Sequence, residues 1–230
     1  MHSIMAPLGK WGLLIAVVAS FLYLPSANAA SRSSIPNADI RAYCAEVGCD
    51  NQVFYSYYQR YGKLRYCSAS KQLLGDRKRL QVLRYVMRRS IIEGLPPTTA
   101  LLPLIESSLN PVAVASGDNT SAKGLWQFQR GTASDMGLKV HPYGDERLDI
   151  RRSTDAGMSY MAWLTREFNG DHNLAVLAYH VGIGKVNAMI KTHRTRNAWY
   201  LSQLLNKDMY DTNYLSKYHA YALALAGKGC

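Results

Sequence analysis

Glu106 is the residue of this chain whose setting most clearly suggests chemistry. It closes the apolar run Leu101-Leu102-Pro103-Leu104-Ile105 and precedes Ser107-Ser108 and the turn signal Asn110-Pro111. A carboxyl among Leu104, Ile105, Leu109 and nearby aromatics is poorly solvated, so desolvation is expected to raise its pKa and keep it protonated near neutral pH. Such a group can serve as a general acid and, after one transfer, as a general base. Local sequence alone leaves a plainer role open: a Glu that reaches solvent or pairs with one of the many arginines.

Other chemical patterns are weaker. Gly182-x-Gly184 has the look of a phosphate loop, but no strand precedes it and no third Gly completes it, so a tight helix-to-helix turn is the better reading. The four cysteines contain no C-x-x-C pair, the six histidines are scattered and H-E-x-x-H is absent. Neither a metal nor a cofactor is expected. Tyr55, Tyr57, Tyr58, Tyr61 and Tyr66 lie close together beside arginines. They could stack on sugars or bases, but a helix face packed on the neighbouring domain is the expectation.

Helices must position these residues. Behind Asp76, read as an N-cap, Leu80, Leu83, Val86, Met87, Ile91 and Ile92 recur at three-to-four spacing, and Gly94 ends the helix. Pro96-Pro97 then form a turn, with Thr98 or Thr99 as cap of the helix that carries Glu106. A Gly/Ser/Asn-rich loop over 115–121 leads to the tight string Gly124-Leu125-Trp126-Gln127-Phe128. Further helices are predicted over Ser153 to Phe168 (Met158, Met161, Trp163 and Leu164 inward), Asn173 to His180, Gly184 to Thr192 and Tyr214 to Ala226. Residues 40–70 read as short helices. Period-two runs of β-branched residues are nearly absent, so the architecture is all-α, without internal repeats.

With 230 residues, 48% hydrophobic and 19% charged, the chain is long enough for one domain with a real core plus a lead-in, and its composition excludes a disordered protein. Lys10, the apolar stretch Trp11 to Leu24 and Ala27-Asn28-Ala29 form a secretory signal cut after Ala29, with no Cys following for lipid attachment. No transmembrane segment is then expected to remain, and the expected location is the periplasm. The organisation is thus a signal over 1–29, a Tyr/Arg-rich, Cys-containing helical segment over 30–79 and the main domain over 80–230. All four cysteines lie in the exported part, which favours disulfides. Of the three pairings, Cys44 with Cys49 and Cys67 with Cys230 is the one adopted. The net charge of +11 points to an anionic partner.

Four motifs in order narrow the function. Glu106-Ser107-Ser108-Leu109-Asn110-Pro111 is followed by Gly124 to Phe128 with Thr132-Ala133 and Gly137-Leu138. Next come Asp145-Glu146-Arg147-Leu148-Asp149 with Ser153-Thr154, and Ala178-Tyr179 with Gly182, Gly184 and Val186. Over residues 80 to 192 the chain resembles the lytic transglycosylases of the goose-lysozyme-like (SLT-domain) superfamily, particularly their membrane-bound lytic murein transglycosylase D branch. The resemblance implies a lysozyme-like fold and cleavage of the MurNAc-β-1,4-GlcNAc bond of peptidoglycan, with 1,6-anhydromuramic acid ends. Glu106 would be the single catalytic carboxyl. Gln127 would bond the sugar's amide or hydroxyls, Phe128 would form an apolar wall, and Tyr179 would match a groove tyrosine whose hydroxyl lies near the carboxyl. Trp126 reads as core.

The chain departs from the family at two places. Ala115 stands where the family has Ser, with Ser116 beside it as the replacement, in a loop longer than usual. His180 replaces the Asn after the family's Tyr and is expected to make a structural or groove hydrogen bond. Asp118, in the longer loop, keeps a rival open: a hydrolytic muramidase pairing Glu106 with Asp118. A non-catalytic peptidoglycan-binding protein is the third reading. The expected partners are peptidoglycan glycan strands and possible cell-envelope proteins, not nucleic acid, with the enzyme a monomer.

Overall fold

The computed structural model describes residues 37–49, 51–115, 122–208, 213–228 and 230. The expected signal over 1–29, together with Ser116 and Asp118, lies outside the described residues. Four helical pieces come first: α1 (Asn37–Val47), α2 (Asn51–Tyr57), a π-helical stretch (Tyr58–Tyr66) and α3 (Cys67–Gly75). After them come α4 (Arg77–Ile92), a 3-10 turn (Pro97–Ala100), α5 (Leu101–Ser107) and α6 (Arg130–Asp135). The two-residue strands β1 (Val140–His141) and β2 (Gly144–Asp145) pair antiparallel, Val140 opposite Asp145. A 3-10 turn (Glu146–Leu148) leads into α7 (Ile150–Glu167), α8 (His172–Val181), α9 (Ile183–His193), α10 (Ala198–Asp208) and α11 (Tyr214–Leu225). The fold is all-α, as the missing strand patterns required.

The helix ends follow their sequences. Asp76 caps α4 by accepting from the Arg79 amide at 3.1 Å. Gly94, in the left-handed region at φ +70°, lets the Leu95 amide return to Ser90 O at 2.8 Å and closes it. Asp149, Asp171 and Asn213 cap α7, α8 and α11 in the same way. The start of α5 departs from expectation, because neither Thr98 nor Thr99 caps it. The 3-10 turn runs straight into the helix, and the Leu101 amide is already taken by the Thr98 and Thr99 carbonyls, so a hydroxyl cap has no role there. Pro103 falls in the first turn, where a missing N–H costs little.

The core centres on α11, whose Tyr214, Leu215, Tyr218, His219, Leu223 and most other residues are buried, with the apolar run Leu174 to Ala178 of α8 also buried. A helix apolar on nearly every side must be surrounded. The tyrosines of the N-terminal pieces supply part of that surround. Tyr57, Tyr58 and Tyr66 are buried, and Tyr66 meets Tyr221 edge-on at 4.9 Å. Tyr43 hydrogen-bonds His219 at 2.8 Å across 176 residues of sequence. Disulfides join Cys44 to Cys49 and Cys67 to Cys230, the adopted pairing. The second ties the C-terminus to the start of α3. Among the described residues no helix is long and apolar enough to cross a membrane.

Candidate active site

Glu106 sits in the last turn of α5, half-buried. The helix stops there because Ser108 and Leu109 both take left-handed backbone angles, φ +54° and +62°, which return their amides to Leu104 O and Pro103 O at 3.1 Å. Two such residues without glycine cost about 1–2 kcal/mol each. Leu109, 1% exposed, recovers this by burying its side chain. The helix end is fastened from two further sides. Arg79 Nε of α4 donates to Ser108 O at 2.9 Å. The Ser107 hydroxyl lies 2.8 Å from Leu125 O and 3.0 Å from Pro103 O, linking α5 to the Gly124–Phe128 turn.

That turn depends on glycine and arginine. Gly124 has φ +78°, and a Cβ there would lie 1.8 Å from Arg147 O, so no other residue fits. The Arg147 side chain is 1% exposed and grips Asp145 with two bonds, Nε to Oδ1 at 2.9 Å and Nη2 to Oδ2 at 2.7 Å. Its Nη1 donates to Phe128 O at 3.0 Å. The bonds from Arg147 hold the Asp145 carboxyl below its usual range. The Asp145-to-Asp149 string therefore braces the turn from behind. Trp126 is core, as read from the sequence: it is buried, its Nε1 donates to Thr154 Oγ1 at 3.3 Å, and its ring fills the space where a Gly157 Cβ would stand.

A cleft of about 490 Å³ opens in front of this brace, bordered by Glu106, Gln127, Phe128, Tyr160, Tyr179 and His180. The structure thus brings together five of the six residues picked from sequence, while Ser116 lies outside the described residues. Gln127 Nε2 donates to Gly124 O at 2.8 Å and Ala113 O at 3.2 Å, so its amide oxygen is the atom left to accept from a ligand. Phe128 is 3% exposed and forms apolar wall. The Tyr179 hydroxyl donates to Trp126 O. Burial first, then the charge of Glu106, pushes its pKa well up.

The hydroxyl that bonds Glu106 belongs to Tyr214, which donates to Oε1 at 2.6 Å. Sequence reasoning missed it. Tyr214 lies 108 residues from Glu106, at the start of α11, and nothing local distinguishes it from a core tyrosine. Burial, followed by the Glu106 charge, raises its pKa well above the ordinary 10, so the phenol stays a donor. His180 lies flat on the Tyr214 ring, centroids 4.1 Å apart and planes 11° from parallel. It thus touches the cleft on one side and the tyrosine on the other. The arrangement suits one proton given and one taken at a single carboxyl.

Residues 88–202 match the family described as the transglycosylase SLT domain. The chain is 40% identical over 103 residues to membrane-bound lytic murein transglycosylase D of Escherichia coli (strain K12), a match covering 45% of this chain and 22% of that protein. The protein of the same name from Escherichia coli O6:H1 matches equally. A putative tributyltin chloride resistance protein of Alteromonas sp. (strain M-1) is 35% identical over 104 residues, covering 45% of this chain and 49% of that protein. The matched region thus spans about a fifth of the length of the Escherichia coli relatives and about half of the third.

Proposed function

Because the chain belongs to the transglycosylase SLT domain family, we propose that it is a peptidoglycan lytic transglycosylase, cutting between N-acetylmuramic acid and N-acetylglucosamine and leaving 1,6-anhydromuramic acid ends. Glu106, through the oxygen not engaged by Tyr214, gives its proton to the bridging oxygen as the C1–O bond breaks. The muramyl 6-hydroxyl then attacks C1, and its proton passes to the Glu106 carboxylate, which is restored for the next cycle. Most glycosidases need a second carboxylate to hold water or to attack. Here the nucleophile belongs to the substrate, and holding it against C1 raises its effective concentration.

The observation that carries this reading is that Glu106 borders the cleft and accepts a hydrogen bond from the Tyr214 hydroxyl at 2.6 Å. The 40% identical stretch, in a relative named a lytic murein transglycosylase, supports the same conclusion. The enzyme would work in the periplasm, where its positive charge faces an anionic envelope.

Digestion of purified sacculi followed by mass analysis tests the proposal. Anhydro-muramyl ends are expected. Reducing ends would make the protein a hydrolase and return Asp118 to consideration. Glu106→Gln should abolish muropeptide release and retain binding to sacculi; persisting release would refute the assignment of the acid.

A further inference from the structure

Beside the catalytic cleft, α7 presents a pair of aromatic rings that pack on the core and keep part of their surface open. Tyr160 borders the cleft, packs edge-on against Phe128 at 6.0 Å and lies tilted against Tyr179 at 5.7 Å. One helical turn further on, Trp163 stacks with Tyr160, centroids 5.7 Å apart and planes 22° from parallel. The helical pattern predicted Trp163 to point inward with Met161 and Leu164. Those two are buried; Trp163 packs against the core too but is only partly buried. The other described tryptophans behave differently. Trp126 and Trp199 are 1% and 3% exposed, and each indole N–H has an acceptor, Thr154 Oγ1 and Gly48 O. Trp163 N–H has no partner among the described residues.

We propose that Trp163 and Tyr160 form a carbohydrate-stacking subsite that holds the glycan strand beyond the scissile bond. The occupant is an N-acetylated, β-1,4-linked pyranose. Its ring substituents are equatorial, so each face offers axial C–H groups to a flat π surface, and its hydroxyls and acetamide carbonyl offer acceptors to the indole N–H. The row from Glu106 past Phe128 and Tyr179 to Tyr160 and Trp163 is continuous, which places this subsite in line with the cleft. Two stacked rings suit an uncharged sugar face. The inference rests on reading the cleft as a glycan site.

The test uses the full Glu106→Gln chain, so that no turnover interferes, and chitin oligosaccharides of two to six GlcNAc units. The hexamer is expected to bind more tightly than the dimer and to shift tryptophan emission to the blue as Trp163 is covered. Trp163→Leu keeps apolar bulk without the flat ring. It should weaken the hexamer about tenfold, equivalent to about 1.4 kcal/mol and within the range of one aromatic pair, and abolish the emission shift. Trp163→Phe should recover part of the affinity. Equal hexamer affinity in Trp163→Leu and its parent would overturn the subsite, as would an emission shift that survives the substitution. Failure of the catalytic reading looks different: no muropeptide release by the wild type, with Trp163-dependent oligosaccharide binding intact.

Discussion

Tyr214→Phe removes one hydroxyl from the site and leaves the ring. The oxygen it removes donates to Glu106 Oε1 at 2.6 Å, while the ring remains buried and stacked under His180 at 4.1 Å, so packing survives. In the proposed reaction Glu106 changes from neutral acid to carboxylate, and a donor at Oε1 is worth more to the second form than to the first. Hydrogen bonds to charged groups contribute about 1.5–3 kcal/mol against about 0.5–1.5 kcal/mol for neutral pairs. The difference acting on the transition state is therefore about 1–1.5 kcal/mol, or about five- to tenfold in kcat. No sugar contact is lost, so KM should stay near its wild-type value. Initial rates of muropeptide release from sacculi at varied concentration, with a melting curve as control, read both quantities. An unchanged kcat would refute the reasoning, as would a raised KM with kcat intact, since the hydroxyl would then act on binding.

Other expectations concern the frame. Gly157→Ala places a Cβ 2.5 Å from the buried Trp126 ring, an overpacking that should cost about 1–3 kcal/mol in urea denaturation and lower activity through the Gly124–Phe128 turn; a stability equal to wild type would refute the fit. His180→Asn, which restores the family residue but removes the flat ring, should lower kcat more than His180→Phe, which keeps it; the reverse order would show that hydrogen bonding, not stacking, is what His180 contributes. Burial holds the His219 and His172 imidazoles down, to about 3 and about 4, from 6.5. Below pH 6.5 the unfolded chain takes up protons that the folded chain refuses. Stability is therefore complete above that pH and falls as the pH drops through the window toward 3, by about 1.4 kcal/mol per pH unit for His219. Urea midpoints that stay level between about pH 6.5 and 4.5 would refute this.

What could be read from the chain in advance was what neighbouring residues decide. Asp76 and Gly94 mark the ends of α4 through bonds made within a turn of themselves, and both marks hold. The apolar run before Glu106 is local too, as is the α8–α9 corner at Gly182, φ +85°. Two helices went unread for opposite reasons. In α6, Arg-Gly-Thr-Ala-Ser-Asp carries low helix propensity and buries only Ala133, so tertiary packing makes it. In α10, Ala198, Leu201 and Leu205 are buried at three-to-four spacing, a pattern present but passed over. The threonines before α5 were read as caps because a cap rule considers only the residues beside it. The 3-10 turn had already satisfied the amide in question.

The site divides along the same line, and His180 shows why. Glu106, Gln127, Phe128, Tyr179 and His180 sit in the motifs that carry the family resemblance, so their convergence on one cleft could be anticipated. Which hydroxyl meets the carboxyl could not, because that depends on how α11 packs against α5, and α11 is apolar on almost every side. A helix buried all round has no face that marks one tyrosine as functional. The replacement of the family's Asn by His180 makes sense only once Tyr214 is in view. An imidazole cannot reproduce an amide's full set of donors and acceptors, but it can lie flat on a phenol ring 4.1 Å away. At position 180 the imidazole thus contributes a flat contact with the side chain that hydrogen-bonds Glu106. A departure that looks like damage in the motif becomes, in three dimensions, a contact with the tyrosine that hydrogen-bonds Glu106.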